Sequence, residues 1–343
     1  MNQDWQNFLA TQGAQILDGV VSNFGDAAAE CSATRDNTVL CDLSQFGTLH
    51  VSGEEAESFL QSMLSNDIGE VSSTHAQLSS LNTAKGRILA TMLIWRESDS
   101  YLLQLPRELC EAIRKKLSMY VLRAKVKIGD VSDEVISLGL SGTDAQKILG
   151  KQFDKLPQAT LDVIHTDHGS VIKISDTRWQ VNLTLQQAKA LWEDFNTKIL
   201  AVGSACWDWL NIRSGIPIIL PQTQEQFVAQ MVNFDLINGV NFKKGCYPGQ
   251  EIVARTRYLG KLKRRMYLAH IDTGEPPQAG DELFSADMEG QASGMLINVA
   301  NAPTGGYDVL VVVQITGHDT HSVHLGTLQG PQLAFDILPY PLT

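Results

Sequence analysis

The stretches HVSGEEAESFL (residues 50–60) and GLSGTDAQKIL (residues 139–149) share one arrangement of residue types, and this repetition decides the fold. In each, an alternation of apolar and polar residues leads through Ser-Gly into a segment with apolar residues at helical spacing. Each stretch therefore predicts a strand, a tight turn and a helix. The acids near both predicted helix starts are explained by the helix dipole and imply no chemistry.

The two copies continue alike further along the chain. A strand followed by a second helix is predicted by YLLQLPRELCEAI (residues 101–113) in the first copy and by WQVNLTLQQAKAL (residues 179–191) in the second. Pro106 and Thr184 stand at the predicted helix starts, where a fixed φ or a side-chain cap is favoured. Recurrence at a spacing of roughly 80 to 90 residues predicts an α+β fold of duplicated units with antiparallel sheets.

Changes in the pattern of predicted helices, strands and turns divide the chain into five predicted segments. Residues 1–36 form an N-terminal helix (WQNFLATQGAQIL, residues 5–17) and a connector. Residues 37–134 and 135–203 form the two α+β units, residues 204–262 form a connecting segment, and residues 263–343 contain short strands between turns. Those strands predict an all-β module, either a small barrel or a Greek key.

Composition and charge exclude several classes of protein. The 343 residues are 43% apolar and 19% charged, as expected of a soluble globular protein. The chain shows neither a secretory leader nor an apolar run of about 20 residues, so a cytoplasmic location without membrane contact is predicted. A net charge of −11 argues against direct nucleic-acid binding, because an acidic surface repels phosphates. Five dispersed cysteines without a CxxC pair predict no disulfide framework.

The stretch NFKKGCYPGQEIVAR (residues 241–255) carries the strongest chemical signal. Pro248 and Gly249 predict a type II turn that opens a helix. Cys246 is then expected just before a helix N-terminus with Lys244 close by, and this positive potential favours the thiolate over the thiol. Cys246 and Lys244 are therefore the predicted catalytic residues.

Cations are concentrated around this motif. Between residues 243 and 265, Glu251 is the single acid against the cations Lys243, Lys244, Arg255, Arg257, Lys261, Lys263, Arg264 and Arg265. A local group of this kind suits a polyanionic small ligand or a limited contact with RNA, and a solvated basic face is the alternative. No protein-only metal site is predicted, because a single thiolate supplies too few ligands.

A second candidate site precedes the motif in ACWDWLNIRSGIPIILPQTQEQFVAQMVNFD (residues 205–235). Trp207, Gln230 and Asn233 combine an aromatic face with amide groups, which suit a flat heteroaromatic ring such as a pterin. The competing interpretation is that one of the two tryptophans at positions 207 and 209 fills a core.

Together, KKGCYPGQEIVAR (residues 243–255), LGKLKRR (residues 259–265) and NFDLINGVNF (residues 233–242) resemble the YgfZ family of folate-binding proteins. That family is related to the glycine-cleavage T protein, an aminomethyltransferase, and to a mitochondrial iron–sulfur assembly factor. The resemblance runs from about Cys41 to the C-terminus. It implies a GcvT-like three-domain ring, in which two ferredoxin-like α+β domains and a C-terminal β-barrel surround a folate channel.

The resemblance assigns roles by position. Cys246 and Lys244 match the functional cysteine and its neighbouring lysine, and Gln250 and Glu251 complete the motif. Trp207 matches a folate-facing tryptophan, and Phe46 stands where a second one occurs. The implied folate-binding residues are Trp207, Phe46, Gln230, Asn233, Gln250, Glu251 and Arg255.

One departure from the T protein bears on the reaction. Its substrate-activating aspartate lies in a hairpin where this chain has NTAKGRILATML (residues 82–93), with Leu89 and Ala90 in place of acids. The resemblance therefore implies that aminomethyl transfer is lost and that the protein is not a classical enzyme.

The resemblance also implies a function. The resemblance implies a monomeric, tetrahydrofolate-binding protein that supports assembly or repair of iron–sulfur clusters in client enzymes, including those that thiolate tRNA. Its partners would be folate and iron–sulfur client or assembly proteins, and Cys246 would be a redox thiol or a ligand to a transient iron–sulfur cluster. The alternatives are a folate-dependent aminomethyltransferase and a tRNA-binding protein.

Overall fold

The computed structural model describes residues 1–167, 169–258, 260 and 262–342. The chain forms two compact units. The first contains Met1–Phe59, Ile68–Gln77 and Leu93–Trp207, and the second contains Leu60–Asp67, Leu78–Met92 and Asp208–Thr343. The finer division into five segments stays a prediction.

Helices and strands alternate along most of the chain. The helices are α1 (Gln3–Thr11), α2 (Ala27–Asp36), α3 (Ala56–Met63), α4 (Arg107–Val121), α5 (Ala145–Leu149), α6 (Leu185–Asn196), α7 (Ser204–Arg213), α8 (Gln250–Tyr258) and α9 (Ile315–Thr320). The strands up to residue 202 are β1 (Gln15–Leu17), β2 (Val20–Asn23), β3 (Val39–Asp42), β4 (Phe46–Ser52), β5 (Gln77–Asn82), β6 (Ile88–Glu97), β7 (Ser100–Pro106), β8 (Lys127–Asp130), β9 (Ile136–Ser141), β10 (Val163–Thr166), β11 (Gly169–Lys173), β12 (Arg178–Leu183) and β13 (Leu200–Val202). The later strands are β14 (Arg264–Ile271), β15 (Glu282–Ser285), β16 (Gly294–Asn301), β17 (Tyr307–Gln314), β18 (Val323–Leu325) and β19 (Leu333–Asp336).

The repeated Ser-Gly turns have the same geometry in both copies. Gly53 and Gly142 have φ values of +120° and +128°, which residues with a side chain rarely adopt. The N–H of Ala56 donates to the carbonyl of Gly53 at 3.0 Å, and the N–H of Ala145 donates to that of Gly142 at 3.2 Å. Both alanines are buried. The predicted strand, turn and helix are therefore confirmed at both places.

The second helix of each copy also begins where the sequence predicts. Pro106 is the residue before α4, and Thr184 is the residue before α6. At α6 the N–H of Thr184 donates to Oε1 of Gln187 at 3.1 Å, completing a capping box.

The N-terminal helix is shorter than the sequence pattern predicts. Instead of continuing to Leu17, α1 ends at Thr11, and β1 and β2 form a hairpin. Leu17 pairs directly with Val20, so Asp18 and Gly19 are the two turn residues. Both have positive φ, as a two-residue Asp-Gly hairpin turn requires. The turn signal therefore prevailed over the helical spacing of the apolar residues.

The first unit contains two large sheets. One has the strand order β10-β11-β12-β9-β3-β13, and in the other β6, β7, β4 and β8 are successive neighbours. These neighbouring strands pair antiparallel, as predicted, except that β13 runs parallel to β3. The core between helices and sheet is aromatic, with Trp5, Trp179, Trp192 and Phe195 fully buried.

The C-terminal strands form the predicted all-β module of the second unit. Their order is β18-β15-β16-β17-β14-β19, and the two edges meet at an isolated bridge between His324 and Gln332. Along β14, Met266 and Leu268 belong to the core that holds α7 and α8, whereas Tyr267 and Ala269 belong to a second core. The alternation arises because successive side chains of a strand point to opposite faces.

Among the described residues, none of the helices combines the length and the apolar character that a membrane crossing requires.

Candidate functional site

The motif around Cys246 adopts the predicted turn and helix. The N–H of Gln250 donates to the carbonyl of Tyr247 at 3.2 Å, and Gly249 has a φ of +80°. These values fit a turn with Pro248 and Gly249 at its centre. Helix α8 begins directly afterwards at Gln250.

Gly249 lies against the turn between β5 and β6. A Cβ atom added to Gly249 would lie 2.4 Å from the Cα of Gly86, so the two backbones approach as closely as two glycines allow. Gly245 differs, because no heavy atom lies within 4 Å of the position its Cβ would take. Close packing therefore requires a glycine at position 249, whereas position 245 has room for a side chain.

Lys244 is buried and its ammonium group is directed inward. Nζ donates to the carbonyls of Gln61 at 2.7 Å, Leu64 at 2.7 Å and Asn66 at 2.9 Å. These carbonyls belong to the last turn of α3 and the residues just after it. The ring centroid of Tyr247 lies 5.3 Å from Nζ. The lysine thus ties the motif to the C-terminal end of α3.

Burial changes the titration of this lysine and its aromatic neighbour. Desolvation lowers the pKa of Lys244 to about 8, and the carboxylate of Asp67 opposes this by raising it. Desolvation also raises the pKa of Tyr247 to about 12, so its hydroxyl stays protonated at neutral pH.

Side-chain hydrogen bonds also stabilise the residues around Lys244 and connect residues 238–239 to the residues that follow α3. The N–H groups of Lys243 and Lys244 both donate to Oδ1 of Asn241, at 2.8 and 3.1 Å. Opposite them, Ser65 Oγ donates to the carbonyl of Gly239 at 2.8 Å, and Asn66 Nδ2 donates to that of Asn238 at 2.7 Å. Ser65 and Asn66 were not among the predicted site residues, although a polar LSND run (residues 64–67) directly after a helix was the available signal.

Cys246 is exposed, whereas Cys31, Cys41, Cys110 and Cys206 are buried. Burial raises the pKa of Cys110 to about 12, so this thiol is inert at neutral pH. Cys110 is therefore a core residue, and Cys246 is the cysteine that solvent reaches.

Gln230 and Asn233 lie buried beside α8 and β14. Gln230 Nε2 donates to the carbonyl of Val253 at 2.6 Å, and Asn233 Nδ2 donates to that of Met266 at 2.9 Å. Their side-chain oxygens, Oε1 and Oδ1, have no hydrogen-bond partner among the described residues. Two buried acceptors in the second unit are therefore left without a hydrogen-bond donor among the described residues.

The two predicted aromatic residues belong to the first unit. Phe46 is half-buried at the start of β4. Trp207 is 3% exposed, with the guanidinium carbon of Arg178 lying 4.3 Å from its ring centroid. A Cβ atom on Gly139 would collide with the same indole, at 2.5 Å.

Trp209 belongs to the second unit and is also buried. Its Nε1 donates to Asp308 Oδ2 at 2.8 Å. Both tryptophans are therefore packed into the protein, as the competing interpretation held for one of them.

The cations of the motif region divide into internal and exposed members. Lys244 is internal, and so is Arg265, which donates to the Gln230 carbonyl at 2.7 Å and pairs with Asp235 at 3.2 Å. Arg257 covers the ring of Phe242, with 4.3 Å from its guanidinium carbon to the centroid. The exposed members include Lys243, Arg255 and Lys263, and Lys261 lies outside the described residues.

The other motif residues lie on or next to α8. Gln250 Nε2 donates to the carbonyl of Lys244 at 3.3 Å, which braces the motif from the helix side. Glu251 is exposed in the first turn of α8, and Arg255 is exposed near its end. Within the described part of the chain, no group of three or more His, Cys, Asp or Glu side chains is placed to hold a metal ion.

The fold is that of the glycine-cleavage T proteins. The crystal structure of the glycine cleavage system aminomethyltransferase T from Bartonella henselae superposes with a TM-score of 0.82, at 18% identity, over 99% of this chain and 97% of that one. The family described as GCVT N-terminal domain matches residues 11–195. Fold and sequence thus define an α+β protein of the GcvT class, as predicted.

Closer relatives identify the branch of that class. The tRNA-modifying protein YgfZ of Colwellia psychrerythraea is 30% identical over 244 residues, covering 71% of this chain and 75% of the relative. The protein of that name from Hamiltonella defensa is 29% identical over 281 residues, 81% of this chain and 82% of the relative. The chain belongs to the YgfZ family, which confirms the resemblance seen in its motifs.

Proposed function

We propose that this protein binds a reduced folate and acts, through Cys246, in a process on which tRNA modification depends. The process is the assembly or repair of iron–sulfur clusters in partner enzymes that modify tRNA. The link to tRNA comes from the curated relatives, which are named tRNA-modifying proteins.

The observation that carries the folate proposal is the pair of unpaired acceptors on Gln230 and Asn233. A buried amide oxygen without a partner costs roughly 1–3 kcal/mol, so its presence calls for a ligand or an ordered water. A pterin ring carries N–H donors along one edge, which matches two acceptors. The acceptor chemistry of these two residues therefore fits the ring, and folate would supply the one-carbon or redox chemistry of the pterin when bound.

Cys246 supports the second half of the proposal. Its thiol is exposed, next to a backbone that is held at Lys244 on one side and at the Tyr247 turn on the other. One thiol cannot hold a cluster alone, so the cluster is cargo shared with a partner protein.

Aminomethyl transfer is the less favoured function. Leu89 and Ala90, which stand where the T protein has acids, are buried apolar residues on β6. An apolar pair cannot accept a proton or stabilise a cationic donor.

Anaerobic calorimetric titration with tetrahydrofolate tests the folate proposal. We expect wild type and Cys246→Ser to bind equally, because the thiol serves a separate step. p-Aminobenzoylglutamate, which lacks the pterin, should bind at least 100-fold more weakly. Absence of tetrahydrofolate binding, or equal binding of the fragment, would contradict the assignment of Gln230 and Asn233 to the ring.

Two further measurements test the remaining parts. In cells lacking the gene, thiolated tRNA should fall and be restored by wild type but not by Cys246→Ser. A gel shift of tRNA at low salt should show no complex, because the net charge is −11. A shift abolished by Arg255→Ala and Lys263→Ala would instead favour direct tRNA binding.

A further inference from the structure

The side chain of Lys244 joins two segments that are distant in sequence. We define the thiol loop as residues 241–249 and the acceptor segment as residues 61–67, both of which lie in the second unit. We propose that Lys244 is a positioning residue that pins the thiol loop to the acceptor segment and thereby sets where Cys246 is presented, rather than lending its charge to the sulfur. The inference rests on the proposed function only in taking Cys246 as the functional thiol.

The ammonium group of Lys244 uses its full donor capacity within the protein. A lysine ammonium has three N–H donors and no acceptor. All three are occupied by the carbonyls of Gln61, Leu64 and Asn66, at 2.7 to 2.9 Å. No N–H of Lys244 is therefore left to donate to a thiolate at Cys246.

The acceptors of these hydrogen bonds are backbone carbonyls at the C-terminal end of α3 and just after it. The carbonyls in the last turn of a helix lack intrahelical partners and carry partial negative charge. Helix α3 ends at Met63, so the carbonyls of Gln61 and Leu64 lie at that end. The positive charge of Lys244 is thus used to stabilise the end of α3.

The anchor at Lys244 lies closer to Cys246 in the chain than the backbone bond from the N–H of Asn241 to the carbonyl of Ser65, which is 3.1 Å long. Gly245 has no heavy atom near its would-be Cβ position, and Cys246 is exposed. Two residues span at most about 7 Å, so an anchor at Lys244 restricts the sulfur to a small region. Releasing the anchor would let Cys246 move with the loop.

Three variants separate positioning from charge. Lys244→Met removes the anchor together with its charge. Asn66→Ala loosens the acceptor segment without altering any charge, because Asn66 Nδ2 holds the carbonyls of Asn238 and Leu78. Lys243→Met removes an exposed charge from the same loop and is the matched control, since Lys243 Nζ has no ion-pair or hydrogen-bond partner among the described residues.

The measurements are hydrogen exchange of the thiol loop and the rate of Cys246 alkylation by neutral iodoacetamide and anionic iodoacetate. Both use the purified full-length chain and need neither folate nor tRNA, so their outcome is independent of the proposed function. We expect Lys244→Met and Asn66→Ala to raise loop exchange tenfold or more. Each should change both alkylation rates by the same factor, whereas Lys243→Met should leave loop exchange unchanged.

A charge role would give a different result. If Lys244→Met slowed iodoacetate more than iodoacetamide while loop exchange stayed at the wild-type level, the proposal would be overturned. Failure of Asn66→Ala to raise loop exchange would overturn it as well, and this variant decides the question even if Lys244→Met does not fold.

Discussion

At the scale of single residues, Gly249 shows how closely the motif is fitted to its neighbours. Its φ of +80° and the approach of Gly86 both exclude a side chain. The turn that presents Cys246 therefore depends on a glycine at position 249 for two independent steric reasons.

Gly249→Ala should destabilise the protein by about 1–3 kcal/mol or more, since strain at positive φ adds to the clash with Gly86. Gly245→Ala is the control and should be neutral or stabilise by up to about 1 kcal/mol, because its Cβ would meet open space. Urea unfolding of both variants measures the difference. If the two variants were equally stable, the turn between β5 and β6 would be able to move away from the new Cβ atom at position 249 at little cost in free energy.

The buried side-chain amides of Gln230 and Asn233 are a second feature at the scale of single residues. The residue types of Gln230 and Asn233 predict hydrogen bonding, and the structure shows which half of each amide is used internally. No pattern in the sequence distinguishes the bonded nitrogen from the open oxygen, because that depends on the carbonyls of Val253 and Met266, which are distant in the chain.

At the scale of elements, α1 is held to the first unit by a polar contact within an aromatic core. Trp5 Nε1 donates to Asp42 Oδ1 at 2.7 Å, and Ser44 Oγ donates to the same oxygen at 2.9 Å. Burial raises the pKa of Asp42, and the hydrogen bonds from Trp5 and Ser44 oppose this. The net effect is that the charged form is costly in the folded state.

This cost predicts a pH dependence. A carboxyl group whose folded pKa is raised contributes stability below its ordinary pKa, and that contribution is lost as the pH rises through the folded pKa. Asp42→Asn should therefore gain stability relative to wild type between pH 4 and pH 7, as measured by urea unfolding.

Asp36→Asn is the control for the opposite sign. Arg35 lowers the pKa of Asp36, so the contribution of this carboxylate is fully present above its ordinary pKa and is lost only as the pH falls below it. Asp36→Asn should therefore be slightly less stable than wild type by the same amount throughout the range from pH 4 to pH 7. A relative loss for Asp42→Asn as the pH rises would show that the hydrogen bonds from Trp5 and Ser44 outweigh the burial.

The repeated units show which elements a sequence predicts well. The Ser-Gly turns before α3 and α5 were predicted because their signal is local, a glycine that accepts positive φ between a strand and a helix. The hairpin of β1 and β2 was missed although Asp18 and Gly19 are an equally local signal, since the apolar spacing through Leu17 was given more weight. The parallel pairing of β13 with β3 has no local signal at all, because it joins residues 200–202 to residues 39–41.

At the scale of the whole molecule, burial in the folded protein determines which of the five cysteines can react: Cys246 is exposed and the other four are buried. Native protein should react with one equivalent of an aromatic disulfide reagent at pH 8, and protein in guanidinium chloride with five. Cys246→Ser should react with none in the native state. A fast-reacting thiol in native Cys246→Ser would show that one of the buried cysteines becomes accessible by local opening.

The sequence by itself determined the α+β class, the two strand–turn–helix stretches, the C-terminal strands, the turn at Pro248 and the family, because each rests on residues close together in the chain. Only the tertiary structure decided that Lys244 is turned toward the end of α3, that Arg265 pairs with Asp235, and that Trp207 is covered by Arg178. The physical reason is that a charge or a ring acquires its role from the groups that surround it in the folded protein. Those groups are brought together by packing over separations of 29 to 183 residues.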